Sequence, residues 1–208
     1  MKKFLCIIFR LFSFLYPYKL NQKLIQYKNI IYTLWIKNFM GHVGEHTIIC
    51  YESFVAGGAE KRISIGNNTI IGKNTTLSCW AKQGETEFPN SSISIGNNCN
   101  IGEYSHITAI NRISLGDGLL TGRYVIISDN AHGGLSFDES VIEPDKRKLQ
   151  SKGEIVIGSN VWLGDKVAVL AGVHIGNNVI VGANSVVTND IPDNCIVAGV
   201  PATIKKKL

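Results

Sequence analysis

An aliphatic residue returns at every sixth position over most of this chain, and few folds tolerate such a spacing. The hexads ISIGNN (63–68), ISIGNN (93–98), ISLGDG (113–118), IVIGSN (155–160) and VHIGNN (173–178) each open a block. From them the anchors fall at Val43, Ile49 and Val55; Ile65, Ile71 and Leu77; Ile95, Ile101 and Ile107; Leu115, Thr121 and Ile127; Ile157, Leu163 and Val169; and Ile175, Val181 and Val187. Only Thr121 is not aliphatic. An amphipathic helix needs apolar residues three and four apart, and a half-buried strand alternates every second residue, so neither produces a strict six.

The residue after each anchor carries a longer period. In the first and second places of each triplet it is glycine, with Cys50 the exception; in the third it is Ala56, Ser78, Thr108, Ser128, Leu170 or Thr188. The unit is therefore three hexads, eighteen residues. A coil of three short strands meets this pattern. Each anchor points inward once per side, and the glycine beside it is expected to make the corner that an L-residue would resist. Six coils stacked at a β-sheet spacing of about 4.8 Å make a prism roughly 30 Å tall. The fold class is all-β, a parallel β-helix whose flat sides stay open for neighbours or ligands.

Insertions in a repeat array leave as loops, and two are long, 78–94 and 128–156. Both follow the third hexad of a coil, so they emerge from one edge of the prism and can converge there. The second opens with SDNAHGG (128–134), which sets His132 beside an acid, an amide and two glycines. Imidazole titrates near neutrality and suits a general base. Asp129, Asn130 and Asp138 are candidates to orient it or to hold acceptor hydroxyls, although short polar residues also favour turns on their own account. The tail PDKRKLQSKG (144–153) reads as a solvated charge run or a lid.

The repeat, continued through VAGVPATIKKK (197–207), resembles the hexapeptide-repeat acyltransferase superfamily over about four fifths of the chain. The resemblance implies the left hand of the β-helix, which periodicity cannot choose, and a homotrimer with active sites between subunits. It implies transfer of an acetyl group from acetyl-CoA to a saccharide hydroxyl, without an acyl-enzyme and without a metal, with His132 as the base; loop 128–134 is similar to that of bacterial capsule and O-antigen acetyltransferases. In the sugar acetyltransferases of the superfamily the position of Trp162 flanks the active site, and those of Asp165, Ala183 and Thr188 line the pantetheine channel. Gly182 and Ala183 are small enough for a thin arm to lie along the corner. Basic residues for the coenzyme A phosphate are usual at 203 and 206; here Lys206 is present and Thr203 departs from the pattern, leaving Lys205 and Lys207 beside it. A sugar-amine N-acetyltransferase and a non-catalytic β-helix scaffold are the alternatives.

The remaining histidines lie beside inward anchors. His42 and His46 would pair on a metal only on a helix, and the three-histidine pattern of the γ-class carbonic anhydrases, which share the prism, is not evident. The net charge of +5 lacks the continuous basic, aromatic-studded stripe of a nucleic-acid binder. Five cysteines without a CxxC suit a reduced, cytoplasmic protein. Residues 1–40 stand outside the repeat, and residues 41–208 form the repeat domain with its C-terminal coenzyme A-binding tail. Phe4, Ile7, Ile8, Leu11, Phe12, Leu15 and Tyr18 recur at helical spacing, Pro17 interrupts, and Leu24, Ile25, Ile31, Leu34 and Trp35 resume it. Two amphipathic helices are expected, as a cap on the first coil and, through residues 1–20 with their basic side chains, as a peripheral contact at the inner face of the cell membrane. Phe4 to Leu15 is too short to span a bilayer, and no small-residue cleavage site follows it.

Overall fold

The computed structural model describes residues 1–134 and 136–208. Two helices come first, α1 (Lys2–Leu15) and α2 (Tyr18–Ile36), with Pro17 as the N-cap of α2. Strands then stack into three parallel sheets, one per side of a prism. The first side runs from His42–Val43 through Ile63–Ile65, Ser92–Ile95, Arg112–Leu115 and Ile155–Ile157 to His174–Ile175. The second runs from Ile48–Ile49 to Ile180–Val181 and is extended by an antiparallel hairpin, Cys195–Gly199 with Ala202–Lys207. The third contains Phe54–Ala56, Thr76–Cys79, His106–Ala109, Ile126–Ser128, Ala168–Leu170 and Val186–Val187.

The anchors lie in register from coil to coil. Ile65 stands against Ile95, Ile95 against Leu115, Leu115 against Ile157 and Ile157 against Ile175. All are buried except Val43 and Val55 of the first coil, which are half-buried. Each side in fact points two residues inward, not one, because the residue two before an anchor also faces the axis, as Ile63, Ile93, Ile113 and Ile155 do. Where that residue is polar it hydrogen-bonds a corner carbonyl: Thr69 Oγ1 donates to Gly96 O (2.9 Å), Thr75 Oγ1 to Gly102 O (3.1 Å) and Ser185 Oγ to Gly182 O (2.6 Å). A buried hydroxyl so paired escapes the cost of an unmade bond.

The corners correct one expectation about glycine. The glycine after each anchor does not carry the left-handed turn. It is selected by close stacking: a Cβ on Gly66 would lie 2.8 Å from Gly96 C, and one on Gly116 would lie 2.7 Å from Gly158 C. The left-handed residue comes two positions later and at half of the corners is asparagine, at Asn68, Asn74, Asn98, Asn160, Asn178 and Asn184, with φ between 54° and 60°. Asparagine tolerates this region better than other side chains with a Cβ. Tyr104 and Tyr124 occupy equivalent corners in successive coils and stack with ring centroids 5.0 Å apart.

The open end of the column at the first coil is covered by α2. Its Thr33 and Ile36 are buried, Thr33 Oγ1 accepts from Ile49 N (2.9 Å), and Asn29 Oδ1 accepts from Tyr51 N (2.9 Å). Helix α1 buries no residue. Among the described residues, no helix is long and apolar enough to cross a membrane.

Candidate active site

Loop 128–156 turns back on itself as it leaves the third side. Ala131–His132 pairs antiparallel with Leu149–Gln150, so His132 stands on a two-stranded ribbon with Leu149 opposite it. The half of the loop expected as a charge run or lid thus supplies the strand that backs the histidine. Internal bonds hold the ribbon: Gly134 N donates to Glu139 Oε2 (2.7 Å), Gln150 Nε2 to Glu139 Oε1 (2.6 Å), and Arg147 Nε to Ile142 O (2.9 Å). Gly133 needs to be glycine, with φ +80° and Arg147 Cδ 2.8 Å from where a Cβ would sit.

Loop 78–94 meets this ribbon. Gln83 accepts from Leu149 N at Oε1 (2.6 Å) and donates from Nε2 to Arg147 O (3.1 Å). Trp80, from the same loop, donates from Nε1 to Thr108 Oγ1 (3.1 Å). These contacts gather a cavity of about 360 Å³ lined by Trp80, Gln83, His106, Thr108, Ile126, Ser128, Asn130, Ala131, His132 and Leu149. A second cavity, of about 560 Å³, shares the wall Ser128, Asn130 and Ala131 and extends the other way past Gly133, Gly134 and Lys152 to Leu170, Ala171 and Thr188. One lies toward the earlier coils and the other toward the later ones.

The candidate residues separate on this geometry. His132 is exposed and lines the smaller cavity. Asn130 lines both, with its Nδ2 donating to Thr108 O (3.1 Å) and Asp129 Oδ1 (3.1 Å). Asp129 is corrected as a ligand-binding candidate: it is 0% exposed, and its carboxylate accepts from Ile110 N (2.8 Å) and Asn111 N (2.9 Å). Burial pushes its pKa above the usual value even though those donors and Asn130 pull the other way. Its work is to hold the corner at 110–111 against the start of the ribbon. Asp138 lies exposed in the short helix Phe137–Ser140, between the two strands of the ribbon.

Of the donor-side residues, Thr188 lines the larger cavity. Trp162 projects half-exposed from the second side, between Leu120 and Ile180. Asp165, Gly182 and Ala183 lie at the corner between the second and third sides, where Asp165 Oδ1 accepts from Arg123 N (2.7 Å). Lys206 is exposed on the C-terminal strand opposite Ile196. A single chain therefore does not bring Trp162, Asp165, Gly182, Ala183 or Lys206 into the two cavities beside His132. Sequence reasoning missed Trp80, Gln83, Thr108 and the outward-facing His106. Its partial burial lowers the pKa of His106 below the ordinary value. The one signal for these residues was that both long loops leave the same edge. Among the described residues, no group of three or more metal-ligating side chains assembles.

Comparison with known proteins agrees with this architecture. Residues 154–189 match the family described as bacterial transferase hexapeptide (six repeats), and residues 92–119 match the hexapeptide repeat of succinyl-transferase. A putative lipopolysaccharide biosynthesis O-acetyl transferase, WbbJ of Escherichia coli K12, is 44% identical over 119 residues, covering 55% of this chain and 60% of that protein. A galactoside O-acetyltransferase of Lactococcus lactis is 40% identical over 98 residues, 46% of this chain and 44% of that protein. The chain thus matches between about two fifths and three fifths of the length of these relatives. Among solved structures, a mutant of AntD, an N-acyltransferase from Bacillus cereus in complex with dTDP and coenzyme A, superposes with a TM-score of 0.67 at 22% identity, covering 83% of this chain and 86% of that one. The chain carries hexapeptide repeats like those of these transferases, and its column is a left-handed parallel β-helix of the same kind.

Proposed function

We propose that this protein moves an acetyl group from acetyl-CoA to a hydroxyl of a saccharide, with His132 as general base, and that it works as a homotrimer. The observation that carries the reading is the position of His132, on a braced ribbon beside two cavities that share one wall. The smaller cavity suits an acceptor sugar ring: Trp80 offers an indole face whose Nε1 is already tied to Thr108, and Gln83 and Asn130 present amides. The larger suits the acyl-pantetheine arm, being narrow-walled at Gly133 and Gly134, apolar at Leu170 and Ala171, and cationic at Lys152. Acetyl-CoA supplies an activated thioester. The chain's own work is to take the hydroxyl proton on the imidazole as the oxygen attacks the carbonyl, and to return it to the departing sulfur.

Two features support assembly. Leu120 and Trp162 stand adjacent and exposed on the second side, with Ile70 beyond the intervening Asn100, an outward and largely apolar surface of the kind that other copies bury. Packing of copies would also bring Trp162, Asp165, Ala183 and Lys206 of one chain toward the His132 cavities of another, which a single chain does not do. The named function of the curated relatives favours oxygen over nitrogen as the acceptor atom.

The test is free-thiol release from acetyl-CoA against a panel of mono-, di- and nucleotide-linked sugars, amino sugars included, by wild type and His132→Ala. The expected outcome is a hydroxyl-dependent rate that falls about 10²- to 10⁴-fold in the variant while coenzyme A binding persists. Equal rates would remove His132 from the chemistry. A rate confined to amino sugars would move the reading to N-acetyl transfer, and absence of both turnover and coenzyme A binding would leave a scaffold.

A further inference from the structure

Helix α1 has fourteen residues and buries none of them. At 100° per residue, the helical repeat of about 3.6, its polar and small residues Lys2, Lys3, Cys6, Arg10 and Ser13 fall within an arc of about 100°. The other nine positions are all Phe, Ile or Leu. They occupy the rest of the circumference, and each is exposed, including Phe4 at 68%, Leu11 at 62% and Phe14 at 84%. Such a face is not left to water in a stable protein.

Charge identifies what covers it. From residue 1 to residue 44 the chain carries Lys2, Lys3, Arg10, Lys19, Lys23, Lys28 and Lys37, and its first acidic residue is Glu45. A second copy of the same segment would bring like charges together, whereas an anionic lipid surface meets both the cations and the apolar face. The helix is about 21 Å long at 1.5 Å per residue, short of a hydrocarbon core of about 30 Å, so it lies in the surface and does not cross it. We infer that α1 docks this protein on an anionic bilayer, with its phenylalanine-rich face among the acyl chains and Lys2, Lys3 and Arg10 at the headgroups. The inference is independent of the catalytic reading, since α1 lies outside the loops that form the His132 cavities.

The test is co-sedimentation of the full chain with phosphatidylcholine vesicles, with and without phosphatidylglycerol. Binding is expected to the anionic vesicles and to weaken with salt. Each Lys or Arg near an anionic surface strengthens partitioning about fivefold, so the combined Lys2→Gln, Lys3→Gln, Arg10→Gln variant loses on the order of 100-fold. Ile7→Asp with Leu11→Asp abolishes binding to either vesicle, while thermal unfolding of the column is unchanged because α1 contributes nothing buried to it. Equal binding to neutral and anionic vesicles would overturn the inference. So would absence of vesicle binding together with a fall in the number of associated copies, by light scattering, in the Ile7→Asp, Leu11→Asp variant, since the face would then belong to another copy of the chain.

Discussion

Replacing Asp129 by alanine separates a structural carboxylate from a ligand-binding one. The side chain is inaccessible and holds the N–H groups of Ile110 and Asn111 at 2.8 and 2.9 Å. A buried donor left without a partner costs about 1–3 kcal/mol. Ile110 is buried, but Asn111 is half-exposed and water can replace its acceptor, so Asp129→Ala is expected to cost about 1–3 kcal/mol. Asp129→Asn keeps one acceptor oxygen, sets an NH2 against the second donor, and is expected to cost about half as much. The assay is urea unfolding, where the midpoint falls at constant slope. Burial raises the Asp129 pKa, so the folded chain holds this proton more tightly than the unfolded one. Stability relative to Asp129→Asn therefore falls as pH rises from the unfolded value of about 3.9 through the folded value, and is level above it. An unchanged midpoint in Asp129→Ala together with lost thiol release would refute the structural assignment and return Asp129 to the binding site.

Burial holds the pKa of His106 below its ordinary value, so the unfolded chain binds the proton more readily. Its contribution to stability is present above about pH 6.5 and is lost as pH falls through that value toward the folded pKa; His106→Gln should remove this slope from the pH dependence of the urea midpoint. Gln83→Ala deletes two hydrogen bonds between the loops, each worth about 0.5–1.5 kcal/mol. Hydrogen exchange at the Leu149 amide should then quicken on the order of 10- to 100-fold, and unchanged protection would show that the ribbon stands without loop 78–94.

The column was legible because each hexad repeats the same local problem. Ile65, Ile95, Leu115, Ile157 and Ile175 share one ladder in the structure, and their spacing alone identifies it. The second inward position was harder to see, since it alternates between aliphatics such as Ile93 and polar residues such as Thr69, whose hydroxyl becomes core material only by bonding a corner carbonyl. The corner itself was misassigned for a related reason. Glycine and asparagine sit two apart in the same hexad, and only the stacked neighbour shows that Gly66 answers to a backbone contact while Asn68 answers to φ. His132 could be picked out as the histidine at the break in the repeat. Its neighbours could not: Trp80, His106 and Ser128 come from three successive coils and meet only because those coils stack.

That origin bears on how the site works. Its walls are fixed to the column by backbone pairing, by the buried Asp129 carboxylate and by the Gln83 clasp, so they need little ordering when a ligand arrives. The imidazole of His132 differs, for it projects from the ribbon and is exposed. A general base must be aimed as well as placed, and the walls around His132 are better fixed than its ring. In the proposed trimer the aim would be completed by the bound acceptor or by a facing copy of the chain. Dilution below the assembly concentration should then lower kcat more than it weakens the binding of sugar to the Trp80 cavity, because that cavity is formed by residues of one chain.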